Sequence, residues 1–151
     1  MHINQLSKDY SVAPQILVED VDTILDAGFK SVICNRPDEE NPVSCQIKAI
    51  KTAARAAGLE FAENVFDSYS FGLDKVQRQA QLLKQLPSPV LAYCASGNRC
   101  SVIWAFSLVG ILEIDAILEA TAHAGYQLLH LRPQLEHLAL NNRAKIHENS
   151  P

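Results

Sequence analysis

The stretch that decides the fold is "PVLAYCASGNRCS", residues 89–101. A short apolar run, Val90 to Tyr93, ends at Cys94; three small residues, Ala95, Ser96 and Gly97, lead through Asn98 to Arg99 and Cys100. A four-residue run that is apolar on both sides predicts a buried strand of a parallel sheet. The following "CSVIWAFSLVGIL" is apolar nearly all round and predicts a helix buried on most of its faces. Cys94 then lies where a strand turns into a helix N-terminus. Two readings are open. The thiol is a buried core residue, a common role for cysteine, or it is a nucleophile in an anion-holding loop. The second explains more of the pattern. Small residues let successive backbone N–H groups turn inward as a nest. The helix N-terminus adds free N–H groups and its dipole. Arg99 adds a planar fork of donors suited to an oxyanion. A thiol in that field has its pKa depressed to roughly 3.5–7.5. Cys94 and Arg99 are therefore candidate catalytic residues, and Ala95, Ser96, Gly97, Asn98 and Cys100 the candidate anion-binding loop.

Working outward, strands and helices alternate. "VEDVDTILDAG" is a helix with Val18, Val21, Ile24 and Leu25 on one face and Gly28 as its stop. "SVIC" at 31–34 reads as a second buried strand, and "PDEENP" as the loop after it. Ser44 is the expected N-cap of a helix through Ala57, ended by Gly58. "LEFAENVF" is a further strand, "DSYSFG" a loop, and Asp74 opens a helix with Val76, Ala80 and Leu83 inward. "YSVAP" is a short strand near the start, and helices are expected over 115–124 and 133–147. Trp104, Phe106, Leu108 and Ile111 are expected in the core. The alternation predicts an α/β protein with a mostly parallel central sheet of about four strands flanked by helices, "VLAYC" central. Ligands bind such sheets outside the carboxyl ends of the strands. The loops after "SVICNR" and "VLAYC" meet there, so Arg36 and Asp38 are candidate substrate contacts. Arg36 equally well pairs with Asp38, Glu39 or Glu40.

The 151 residues are enough for one domain with a core, and 48% hydrophobic with 20% charged residues is ordinary globular composition. A net charge of −4 argues against a nucleic-acid surface. "SVIWAFSLVGILEI" is interrupted too early to span a bilayer. "MHINQLSKDY" carries no signal-peptide pattern, so a cytoplasmic location with reduced thiols is the expectation. The four cysteines, 34, 45, 94 and 100, are too few for a disulfide scaffold and contain no C-x2-C pair, and the five histidines stand apart from them. No metal is expected, and no cofactor: neither G-x-G-x-x-G nor G-x4-G-K-[ST] occurs.

C-x-x-G-x-R between a strand and a helix resembles the active-site loop of rhodanese sulfurtransferases and of cysteine-dependent phosphatases. "AGFKSVICNRPDEE", "PVLAYCASGNRCS" and "GILEIDAILEATAHAGYQLLHLRPQLE" together resemble the bacterial beta-lactamase-hydrolase-like family, in its phosphatase-like domain. The resemblance runs from about Gln5 to Leu138 and implies a single phosphatase-like domain over 1–151. It also implies a cysteine-dependent-phosphatase-like fold with Cys94 as nucleophile and Arg99 as oxyanion binder. Its members carry both sulfurtransferase and phosphatase labels, so the resemblance implies a small anionic substrate, either sulfane-sulfur or phosphorylated. Loop length leans toward sulfur. Phosphatases of this type carry C-x5-R, whereas Cys94 to Arg99 is C-x4-R, one inward N–H fewer for a phosphoryl group. Tyr93 stands where those phosphatases have histidine. Asp67, on the loop after the preceding strand, leans the other way, because it stands where dual-specificity phosphatases place their general acid. Its other reading is a loop or cap aspartate. Cys100 replaces the family's usual serine, either half-buried and inert or able to trap an oxidised Cys94 as a disulfide. Cys34 and Cys45 read as core and helix-cap neighbours.

Overall fold

The computed structural model describes residues 1–148, with side chains described through 144. In chain order the elements are β1 (Asn4–Ser7), β2 (Tyr10–Ala13), α1 (Val21–Asp26), β3 (Ser31–Cys34), α2 (Ile47–Ala56), β4 (Glu60–Glu63), α3 (Leu73–Gln85), β5 (Val90–Tyr93), α4 (Asn98–Ser107), α5 (Ile114–His123) and α6 (Arg132–Glu148). They form one five-stranded sheet in the order β1-β2-β5-β3-β4. β2, β5, β3 and β4 are the parallel set; β1 is the fifth strand and pairs with β2 antiparallel. The expected four-strand count lacks β1 because "NQLS" has no apolar run to announce it. β5 is central, between β2 and β3, and all four of its residues are buried.

Side chains of a strand alternate between faces, and β5 feeds two cores by that rule. Leu91 and Tyr93 join Val21 and Ile24 of α1 and Ile50 and Ala54 of α2 on one face. Val90, Ala92 and Cys94 join α3, α4, α5 and α6 on the other. α4 lies in that second layer with Ile103, Trp104, Ala105 and Phe106 buried, as its unbroken apolar character requires. Among the described residues no helix is long and apolar enough to cross a membrane.

Several local expectations change. Val18 precedes α1, and of the expected face only Val21 and Ile24 are buried. α4 ends at Ser107, so Ile111 is not core but 65% exposed; the helical spacing that placed it inside no longer applies there. Ser44 does not cap α2; it sits in a 3-10 turn, Val43–Cys45, and α2 begins at Ile47. On α3, Val76 is buried as expected, but Ala80 and Leu83 are only half-buried, and Leu82 and the polar Gln79 take the inward positions beside it.

Candidate active site

The loop after β5 is shaped by its backbone. Gly97, just before α4, has φ +91°, a left-handed conformation that side chains disfavour. A Cβ there would also meet the Tyr126 hydroxyl at 2.2 Å. Tyr126 braces the loop from outside the sheet: its hydroxyl donates to the Ser96 carbonyl at 3.1 Å and accepts from the Asn4 amide at 3.0 Å. On the inner side, the Tyr10 hydroxyl donates to the Cys100 carbonyl at 2.9 Å. Tyr10 accepts in turn from Gln79, whose other amide atom accepts from Asn35 and Asn64. A fully buried polar chain thus ties α3 and the ends of β3 and β4 to the first turn of α4.

Within this frame Cys94 is buried, and its Sγ accepts the Gly97 N–H at 3.1 Å. Its thiol is pulled down to about 5. The largest cause is hydrogen bonding from the Cys100 thiol, followed by opposing desolvation and then the backbone N–H groups of Cys100, Ser96 and Gly97. Arg99 is not among these leading causes. Cys100 is fully buried rather than half-buried, and burial together with the neighbouring thiolate pushes its own thiol well up, so it stays a protonated donor. Cys34 is buried and pushed up to about 11, chiefly by desolvation, which leaves it an inert thiol. Cys45, half-buried, ends the 3-10 turn before α2.

Arg99 does not point freely into space. Glu40 takes its outer edge: Nη1 donates to Oε2 at 2.8 Å and Nη2 to Oε1 at 2.6 Å. The second Nη1–H goes to the Phe66 carbonyl at 3.2 Å. The Nε–Nη2 edge is left without a partner among the described residues, a two-donor fork for an incoming group. The pairing holds the Glu40 carboxyl below the usual carboxylate range. Arg36 stands behind this pair. Its Nε meets Glu40 Oε1 at 3.1 Å, its Nη2 the Glu40 carbonyl and its Nη1 the Gln15 side chain.

The other two candidates separate. Asp38 caps α2, accepting the Ile47 N–H at 2.8 Å, which is the role expected of Ser44. Asp67 shares an open cleft of about 500 Å³ with Arg99, Glu40, Phe66 and Phe71. Its Oδ1, however, is turned back on its own loop, accepting the N–H groups of Tyr69 and Ser70 at 2.9 Å each. Those bonds, Ser70's first, hold its carboxyl below the usual range. Glu40, Tyr126, Tyr10 and Gln79 are the site residues that sequence reasoning missed. Glu40 was visible only as one of three acids near Arg36; the other three carry no sequence signal, because the fold alone brings them to the loop.

This arrangement matches known proteins over most of its length. The family model described as "Beta-lactamase hydrolase-like protein, phosphatase-like domain" matches residues 2–111. A beta-lactamase hydrolase-like protein from Xylella fastidiosa strain 9a5c is 28% identical over 143 residues, covering 93% of this chain and 33% of that protein. The chain thus spans about a third of that relative. The crystal structure of a "putative phosphatase" from Neisseria meningitidis Z2491 superposes with a TM-score of 0.80 at 31% identity, covering 91% of this chain and 99% of that one. At the level of fold alone, TpbA of P. aeruginosa, solved in complex with phosphotyrosine, has a TM-score of 0.64 at 15% identity, covering 92% and 88%. The chain belongs to the phosphatase-like domain family of the beta-lactamase hydrolase-like proteins, and its architecture is that of a phosphatase-like cysteine enzyme.

Proposed function

We propose that Cys94 is the nucleophile of a sulfane-sulfur transfer, with Arg99 as the anion binder. The observation that carries this reading is the direction of the loop donors. In a loop of only four residues between Cys94 and Arg99, the Gly97 N–H donates to the sulfur itself, and the amides of Ser96 and Cys100 also lower its pKa. Such a ring suits one extra sulfur on Cys94 better than the three equatorial oxygens of a phosphoryl group. The step balances without an oxidant. The thiolate attacks the outer sulfur of R–S–SH, the donor's S–S bond breaks, and the electron pair leaves on R–S⁻, giving Cys94–S–SH. An acceptor thiolate or cyanide then removes that sulfur and restores the Cys94 thiolate. No general acid is required, and Asp67, ionised and engaged with its own turn, is not held as one.

Phosphomonoester hydrolysis is the second reading. It is favoured by the phosphatase-like relatives, by the phosphotyrosine bound in TpbA, and by Asp67 sharing the Arg99 cleft. There Cys94 would attack phosphorus and Asp67 would protonate the leaving oxygen. The two are separated by turnover. The sulfur reading expects transfer from a persulfide or thiosulfate to cyanide, lost in Cys94→Ser, unaffected within about twofold by Asp67→Asn, and poor hydrolysis of aryl phosphates. Losing one positioned donor from such a ring typically costs about 10²–10³ in rate. A glycine inserted between Gly97 and Asn98 should therefore lower sulfur transfer and raise phosphatase activity. Efficient aryl phosphate hydrolysis by the parent that collapses in Asp67→Asn, with no use of either sulfur donor, would put the phosphatase reading first.

A further inference from the structure

Phe71 forms one wall of the Arg99 cleft. On its far side lies a second cavity of about 440 Å³, between α3, α4 and α6, and Phe71 lines both. One stripe of α4 contributes to both. Arg99, Val102 and Phe106 are three and seven positions apart, so they share a helix face, and Arg99 and Phe106 stand about 10 Å apart along the axis at 1.5 Å per residue. Arg99 and Val102 line the first cavity and Phe106 the second. The second cavity is walled by Leu73 and Val76 of α3 and Leu138 of α6, with Phe71 stacked edge-on to Phe106 at 5.3 Å between centroids. Leu73 is 47% exposed, an apolar side chain facing open space at the cavity mouth. His137 and Gln134 stand at its edge. Mostly apolar walls with a few polar groups and a volume of several hundred Å³ are what small-molecule sites offer.

We propose that this cavity is a binding site for the apolar part of the substrate. The ligand is an amphiphile: a sulfane or anionic head at the Cys94–Arg99 loop and an alkyl or aryl tail about 10 Å long over Val102, past Phe71, to Phe106. The inference deepens the proposed function by naming its substrate class. It rests only on the head being held at Arg99, which sulfur transfer and phosphate hydrolysis share. Charge complementarity sets the polarity: the unpartnered Nε–Nη2 edge of Arg99 marks the anionic end, and among the described residues no Asp, Glu, Lys or Arg lines the cavity beyond Phe71.

Titration calorimetry with butyl, hexyl and octyl phosphonate, all as monomers and none hydrolysable at a P–O–C bond, tests this without turnover. A fully buried methylene is worth about fourfold in affinity. With one side of the cavity open, about twofold per methylene is expected, so octyl phosphonate should bind about tenfold or more tighter than butyl phosphonate. Leu73→Asp should abolish that gain, lowering octyl affinity more than butyl affinity. Aspartate suits the first helical position electrostatically, so the variant should fold; Leu138→Asp, from the opposite wall, is the independent check. Affinity that is flat with chain length overturns the proposal, as does an equal loss for butyl and octyl phosphonate in both variants. Binding seen only with anionic phospholipid vesicles also overturns it. So does a parent dimer in sedimentation that Leu73→Asp splits while octyl phosphonate gains nothing, because a second copy would then own the cavity. If sulfur transfer fails but the chain-length gain holds, the cavity stands and the chemistry changes; if transfer succeeds and the gain is absent, the cavity alone falls.

Discussion

The loops after β5 and β3 meet at one ion pair, Arg99 with Glu40, yet they are shaped by different forces. The β5 loop is short and its form is written into the backbone: one left-handed glycine, a helix N-terminus, and tyrosine hydroxyls on the carbonyls of Ser96 and Cys100. The β3 loop is longer and is assembled by side chains. Gln15 accepts from both Arg36 and Asn41, Gln46 donates to the carbonyls of Asp38 and Asn41, and Asp38 caps α2. A backbone-shaped loop offers a substitution no alternative geometry. A loop held by several side-chain bonds spreads the loss of any one. The two loops should therefore differ sharply in their tolerance to change.

The largest effect is expected at Gly97. Alanine there carries the left-handed penalty of roughly 1–2 kcal/mol and meets the Tyr126 hydroxyl at 2.2 Å. The loop must open, and with it the N–H that reaches Cys94. Gly97→Ala should lower turnover by about two orders of magnitude or more, since displaced donors in such rings cost about 10²–10³ each. Gly97→Ala with Tyr126→Phe removes the closest contact but not the strain. Partial recovery of turnover and of Tm in the double variant checks this account. A single variant with parental activity would show that the loop is not backbone-defined.

Glu40→Gln probes the other loop and should do less. The charge on Arg99 remains, but its bidentate partner becomes an amide whose NH2 group opposes the guanidinium. Arg99 then loses its fixed orientation, and turnover should fall about tenfold, with weaker binding of inorganic phosphate or sulfate. Stability should change by only about 0–1 kcal/mol, because the pair is partly solvent-screened. Arg36→Ala, one bond further back, should cost less still. Unchanged anion affinity in Glu40→Gln would mean that Arg99 needs no partner to hold its edge toward the loop.

What the sequence disclosed follows the same division. The buried strand, the small-residue turn, Cys94, Gly97 and Arg99 are contiguous, and local rules of conformation and charge reach them. The parallel sheet followed from alternating patterns, and α4 from its apolar run. β1 escaped because a solvent-facing edge strand has no hydrophobic pattern. Ile111 was misplaced because the helix stops four residues short of it. Glu40, Tyr126 and the Tyr10–Gln79 chain were illegible for another reason: each reaches the loop from a distant part of the chain, and polar residues in a sequence carry no mark of what they will bond to. Gln79 shows this best, since it sits on the inward face of α3 where an apolar residue is the ordinary choice.

That chain carries the smallest predicted effect on the reactivity of Cys94. The Tyr10 hydroxyl, kept neutral by burial, donates to the Cys100 carbonyl, and Cys100 in turn supplies a thiol and an N–H to the Cys94 sulfur. Tyr10→Phe keeps the ring stacked near Trp104, at 6.1 Å between centroids, and removes only the hydroxyl. The first turn of α4 then loses an anchor, the donors on Cys94 slacken, and its thiol should titrate higher. The direction is fixed by the shift. In the parent the thiolate prevails above about pH 5, against roughly 8.5 for an ordinary thiol. Because the folded pKa is depressed, the stability it contributes is full above the unfolded value and is lost as pH falls toward 5. In Tyr10→Phe the midpoint of iodoacetamide alkylation against pH should move up by less than one pH unit, slowing the reaction near pH 5 and leaving it unchanged near pH 8. A stability loss of about 1–3 kcal/mol is expected from the unpaired Gln79 amide and Cys100 carbonyl. A purely structural role would lower Tm with no movement of the alkylation midpoint, and that outcome would remove Tyr10 from the site.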